Sequence, residues 1–144
     1  DVDANKVQVA KDRFGAVATG SGQIHAVEAD VYSPCALGAV LNPRTIPEIR
    51  ARVIAGAANN QLSDAGQDVR LRERAITYCP DYVVNAGGVL SVAEKGKRFH
   101  RDEALMRVGR IRQTTLEVLE LAEAEQIPTG LAADRLALSR LRST

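Results

Sequence analysis

Three stretches of the chain share one order of hydrophobic and polar positions. Val53-Ile54-Ala55-Gly56-Ala57-Ala58-Asn59-Asn60 opens as an unbroken apolar run, passes into glycine and alanine, and ends in two adjacent amides. Ala29-Asp30-Val31-Tyr32-Ser33-Pro34 runs into Cys35-Ala36-Leu37-Gly38, and Tyr78-Cys79-Pro80-Asp81-Tyr82-Val83-Val84 into Asn85-Ala86-Gly87-Gly88. A short apolar run without alternation predicts a strand buried on both faces, as in a parallel sheet. Small residues after it let the backbone approach a neighbour closely. In open α/β sheets, ligands bind outside the carboxyl ends of the strands. Any one stretch alone reads better as a plain strand-to-helix turn, which also favours Gly and Asn. The three together predict parallel strands opening onto one crevice, with Asn59 and Asn60 turned towards a ligand.

The remaining pattern is mostly helical. A helix is predicted over Ala4 to Phe14, with Asp3 as N-cap, Val7, Ala10 and Phe14 on one face, and Gly15 as the stop. Asp1 would then lie at the end of a strand, where dinucleotide folds place the acid that holds a ribose diol; a terminal residue in solvent is the other reading. Ala16 to Thr19 reads as a short strand and Gly20-Ser21-Gly22 as a loop. His25 falls on a short amphipathic stretch, packed or solvated. Thr45 and Pro47 open a short helix. Ser63 to Gly66 is a turn, Asp68 to Ala75 a charged helix, and Ile76 to Val84 the last strand, broken at Pro80. Val89 to Glu94 starts a helix that Lys95 to His100 interrupts, with His100 able to cap the next. The longest helix is Arg101 to Glu125, striped by Leu105, Val108, Ile111, Thr115, Val118, Leu119 and Ala122. Asp102 and Glu103 suit its positive end. Pro128 ends it, Thr129 caps a successor, and Leu131 to Leu141 form a final helix.

Composition narrows the class. The chain has 144 residues, 45% hydrophobic and 26% charged, enough for one domain with a core. A net charge of +1 and 3% aromatics argue against nucleic-acid binding by charge or base stacking. No apolar run reaches the length of a membrane span, and no signal peptide is visible. Cys35 and Cys79 are read as reduced thiols of a cytoplasmic protein. Neither lies at ligand spacing from His25 or His100, so no metal is expected.

The three long motifs, with Gln61-Leu62 and Val89 extending two of them, resemble the coenzyme domain of the glutamate/leucine/phenylalanine/valine dehydrogenase family. They are most similar to those of leucine and valine dehydrogenases. Ile127-Pro128-Thr129 and Ala132-Ala133-Asp134-Arg135 extend the likeness, which covers the chain in order. The resemblance implies an α/β fold: a partial Rossmann-type parallel sheet over 1–92, the latter strands of a coenzyme domain, and a C-terminal helical tail over 93–144. It implies NAD-dependent oxidative deamination of an L-amino acid to a 2-oxo acid and ammonia. Carried over by residue, it puts Asp1 on the adenosine ribose and Val2 beside the adenine. Cys35 and Ala36 belong to the loop passing the dinucleotide, and Asn59 stands beside the coenzyme. Asn60 reaches the amino acid near the nicotinamide, and Asn85 lies near the carboxamide. Val89 and Val92 line a small branched-chain pocket, favouring leucine, valine or isoleucine, although a methylene or two discriminates weakly.

Other family parts are not found. Gly20-Ser21-Gly22 lacks the third glycine and the strand–helix setting of a dinucleotide fingerprint. Lys6, Lys11, Lys95 and Lys97 match no catalytic lysine, and no catalytic residue is assigned. The chain opens at Asp1 without Met, so it reads as a fragment or a processed product. Its expected partners are an N-terminal catalytic domain, the amino-acid or 2-oxo-acid substrate and further copies in a homo-oligomer, with the unpaired sheet edge expected to be ordered beside the missing N-terminal part or in an oligomer. The competing reading is a free-standing, non-catalytic interaction or oligomerisation module with the same fold.

Overall fold

In the computed structural model, residues 1–92 and 100–142 are described, apart from the side chains of Ser91 and Val92. The end of the predicted helix at Ala93 and Glu94, the break from Lys95 to Phe99, and the 92/93 boundary fall at or beyond that limit. Three short parallel strands, β1 (Val31–Tyr32), β2 (Val53–Ile54) and β3 (Thr77–Tyr78), form one sheet in the order β1-β2-β3. Val31 aligns with Val53 and Val53 with Thr77; Tyr32, Ile54 and Tyr78 align one residue later. The apolar runs become strands as their backbones pair: Ala55 N–H donates to the Tyr32 carbonyl at 3.1 Å and Cys79 N–H to that of Ile54 at 2.8 Å.

Helix α1 (Ala4–Phe14) forms as the pattern predicts. The Asp3 carboxylate accepts from the Asn5 and Lys6 amides, and Gly15 closes it in the left-handed region at φ 64°. Its apolar face has no buried residue among those described, and Phe14 is 75% exposed. Ala16 to Thr19 does not form the expected strand. β-propensity is a fit to neighbouring strands, and among the described residues no strand pairs with this segment.

Around the sheet lie α2 (Gly66–Glu73), α3 (Asp81–Val84) and α4 (Gly87–Val92), then the hairpin of α5 (Arg101–Glu125) and α6 (Thr129–Arg142). The last strand is far shorter than Ile76 to Val84. Pro80 has no N–H for a ladder, and the chain turns at once into α3. Gly87 and Gly88, read as a turn, are the first residues of α4. α5 has the predicted bounds, with His100 at its N-cap. It ends on Gln126 at φ 55°, two residues before Pro128, and Thr129 is the first residue of α6. Ile46–Glu48 is a 3-10 turn, with the Thr45 hydroxyl donating to the Val40 carbonyl at 2.5 Å.

Among the described residues, two cores hold this arrangement. Leu41, Ile46, Ile49, Ile54, Leu71 and Tyr78 pack between β2, β3 and α2. Val118, Ala122, Ala132 and Ala133 join α5 to α6, with Val83 of α3 against them. Only the latter half of the α5 stripe is covered: Val118 is buried, while Leu105 is 55% exposed. His25 is buried, its Nε2 2.6 Å from Glu48 Oε2.

Candidate functional site

The site lies where the three strands end. Gly56 follows β2 and lies against Pro34, which follows β1; a Cβ on Gly56 would overlap the Pro34 backbone and ring. Ala58 N–H donates to the Pro34 carbonyl at 2.9 Å, and Ala39 N–H to that of Asn60 at 2.7 Å. Gly38 closes the same contact, because a Cβ there would stand 2.8 Å from the Asn60 carbonyl oxygen. The turn carrying the amides is braced from below by Gln61. Its fully buried side chain donates to the Gly56 and Ala58 carbonyls at 2.8 and 2.9 Å.

The third strand end joins at Ala57. Asn85 Nδ2 donates to the Asn59 side-chain carbonyl at 2.6 Å and to the Ala57 backbone carbonyl at 3.4 Å. From the other side comes Cys35, an exposed thiol 3.4 Å from the Ser33 hydroxyl. That hydroxyl and then the Ala57 backbone stabilise the thiolate and hold its pKa below the usual thiol range. Cys79 is buried, and burial pushes its thiol up.

A hollow of about 410 Å³ opens beside these residues, lined by Asn59, Asn60, Asp81, Tyr82, Asn85, Ala86 and Val89. Four of the sequence-predicted residues therefore share one cavity, and Cys35 and Ala36 lie on the adjoining loop. Asp1 and Val2 do not line it; they precede α1, exposed, with the Asp1 carboxylate accepting from Asp3 N–H at 2.9 Å. The side chain of Val92 lies outside the described structure. A larger hollow, about 760 Å³ between α2, β3 and the α5–α6 hairpin, contains none of the predicted site residues.

Sequence reasoning missed Asp81. It is buried, and its two carboxylate oxygens accept from the Tyr78 hydroxyl at 3.0 Å and from the Asn60 backbone N–H at 2.6 Å. Read as part of a strand, it had no reason to stand out; the signal was an acid directly after proline, a helix-start pattern. Tyr82 links the hollow to the tail, its hydroxyl donating to the Gly130 carbonyl at 3.1 Å and lying 3.2 Å from Asp134. Burial pushes its phenol up, and the Asp134 carboxylate adds to the rise. Among the described residues, no three His, Cys, Asp or Glu side chains could hold a metal ion, and no helix is long and apolar enough to cross a membrane.

The parallel α/β sheet with amides at its strand ends and a helical hairpin beyond is an architecture shared with a solved amino-acid dehydrogenase. The structure of L-tryptophan dehydrogenase from Nostoc punctiforme matches it with a TM-score of 0.97 at 39% identity, over 99% of this chain and 43% of that one. The chain belongs to the glutamate/leucine/phenylalanine/valine dehydrogenase family, whose profile matches residues 3–143. It is 46% identical over 143 residues to leucine dehydrogenase of Bacillus cereus, 99% of this chain and 39% of that protein. It is 44% identical over 126 residues to valine dehydrogenase of Streptomyces albus, 88% of this chain and 35% of that protein. The chain thus spans about two fifths of the curated relatives it matches.

Proposed function

We propose that this chain is the coenzyme-binding part of an NAD-dependent amino-acid dehydrogenase. Residues 1–92 are the latter part of its Rossmann-type domain, and the stretch 93–144 carries C-terminal helices that pack on that domain or on a neighbour. The observation that carries the reading is the meeting of three strand ends at Ala57, where Cys35, Asn59 and Asn85 converge. The donor set suits the coenzyme. Ala36 and Ala57 are exposed and leave backbone within reach of a dinucleotide. The Asn60 side chain is exposed at the hollow without a hydrogen bond to any described residue.

The reaction is oxidative deamination of a branched-chain L-amino acid: the substrate gives up a hydride from Cα, and water replaces nitrogen to leave a 2-oxo acid and ammonia. NAD, when bound, accepts the hydride. Asn85 and Asn59, already locked together, orient the carboxamide end of the coenzyme, and the loop at Cys35 and Ala36 flanks its middle. Asp1 and Val2 take the ribose and adenine. Asn60 orients the amino acid, and Val89 and Val92 bound its side chain. The proton-transferring groups come from an N-terminal catalytic domain, and the whole works as a cytoplasmic homo-oligomer. The open edge at β1, where Val31 is half exposed, is left for the earlier strands of the same domain or for another copy to cover.

The test is NADH formation by the full-length protein with leucine, valine, isoleucine, phenylalanine and tryptophan, and by the 144-residue chain alone. Branched-chain substrates should lead, and the chain alone should be inactive. Absence of amino-acid-dependent NAD reduction in the full-length protein would refute the reading. The second reading is a non-catalytic interaction module, favoured by Phe14, 75% exposed at the end of α1, a helix with no buried residue among those described. A start codon near Asp1 would support it; an upstream glycine-rich fingerprint preceded by a lysine-bearing domain would not.

A further inference from the structure

We propose that Asp81 is a positioning residue for this site, setting the direction of the Asn60 side chain through the Asn60 backbone. The inference rests on the dehydrogenase reading and adds a residue to it.

Asn60 has φ 52°, in the left-handed region that asparagine tolerates better than most residues with a Cβ. Two bonds hold it. The Asn60 carbonyl accepts from Ala39 N–H at 2.7 Å, and the Asn60 N–H donates to Asp81 Oδ2 at 2.6 Å. Both sides of the residue are thereby pinned, while its side chain, exposed at the hollow, is left available.

Asp81 is itself immobilised. It is 8% exposed, and its other oxygen accepts from the hydroxyl of Tyr78, which is 2% exposed at the end of β3. The Asp81 N–H completes the clasp with the Tyr78 hydroxyl at 3.3 Å. A carboxylate is suited to this position because it is acceptor-only at both oxygens and both neighbours are donors. The third strand thus fixes the amide that projects from the second.

The test is a double-mutant cycle in the full-length enzyme, read as kcat and KM for the amino acid and for NAD. Asn60→Ala and Asp81→Ala should each lower kcat/KM for the amino acid, on the order of tenfold to a hundredfold for a displaced contact group. The double variant should be no worse than Asn60→Ala, since Asp81 acts only through Asn60. Asp81→Asn retains one acceptor and the packing, should keep most of the activity, and covers the case in which Asp81→Ala does not fold. Its residual loss should also vanish in the Asn60→Ala background. Losses that multiply, or unchanged kcat/KM in both Asp81 variants, overturn the proposal while leaving the dehydrogenase reading intact. A wild-type enzyme without amino-acid-dependent NAD reduction overturns both.

Discussion

Gly56 lies so close to Pro34 that the backbone of one strand end rests on the ring and carbonyl of the next. The contact joins β1 to β2 just before the rim. Alanine at position 56 would put its methyl into backbone, which cannot rotate aside. Overpacking of a tight core costs about 1–3 kcal/mol, and Gly56→Ala should reach the upper end of that range. Chemical denaturation of the intact protein checks this. Gly88→Ala serves as the control, since nothing lies within 4 Å of a Cβ there.

Asn85 and Asn59 form one unit through their side-chain amides at 2.6 Å. Removing either frees the other to rotate. Asn85→Ala should raise KM for NAD and lower kcat/KM about tenfold, the value of one good hydrogen bond. Steady-state kinetics with NAD varied at saturating amino acid would show it. An unchanged KM for NAD would place the coenzyme elsewhere.

The two cysteines should differ in reactivity. Cys35 is exposed and its thiolate is favoured by the Ser33 hydroxyl and the Ala57 backbone; Cys79 is buried with its thiol pushed up by burial. Alkylation followed by mass spectrometry should label Cys35 first and Cys79 only under unfolding conditions. Ser33→Ala should slow Cys35 labelling. Saturating NAD should slow it too if the dinucleotide passes this loop.

Asp68 ties α2 to the start of α6. Its carboxylate accepts from Gly130 N–H at 2.7 Å and from the Thr129 hydroxyl at 3.3 Å. Burial nevertheless raises its pKa, against the smaller opposing effect of those two donors. A folded pKa above the unfolded one means that the group favours folding most at low pH. That contribution is lost as the pH rises through the raised value. The stability of wild type relative to Asp68→Asn should therefore fall from acid towards neutral pH and then level off. Thermal unfolding across pH 3 to 8, a span of about five units around the ordinary carboxylate range, measures it. Asp68→Ala, which strands both donors, should cost about 1–2 kcal/mol at neutral pH.

The helices that carry their own punctuation were legible in the sequence. α1 shows its cap at Asp3 and its stop at Gly15, and α5 shows a stripe long enough to fix its bounds. Strands depend on neighbours, and there the pattern misled. Ala16 to Thr19 has the composition of a strand and no partner, while Pro80 cuts β3 to two residues. The grouping of Asn59, Asn60 and Asn85 followed from a rule about strand ends, and Val89 came only with the family resemblance. Asp81 was passed over: the acid after Pro80 marks a helix start, but its bond to a backbone amide 21 residues away is not written in that pattern.

Tyr78 and Asp81 stand three residues apart, yet between them the chain ends a strand, passes a proline and begins a helix. No slack remains in that passage. Relatives should tolerate length changes in the turn at Gly20 to Gln23 but none between Tyr78 and Asp81. Anyone transplanting this rim into another scaffold must move those four residues as a cassette of fixed length.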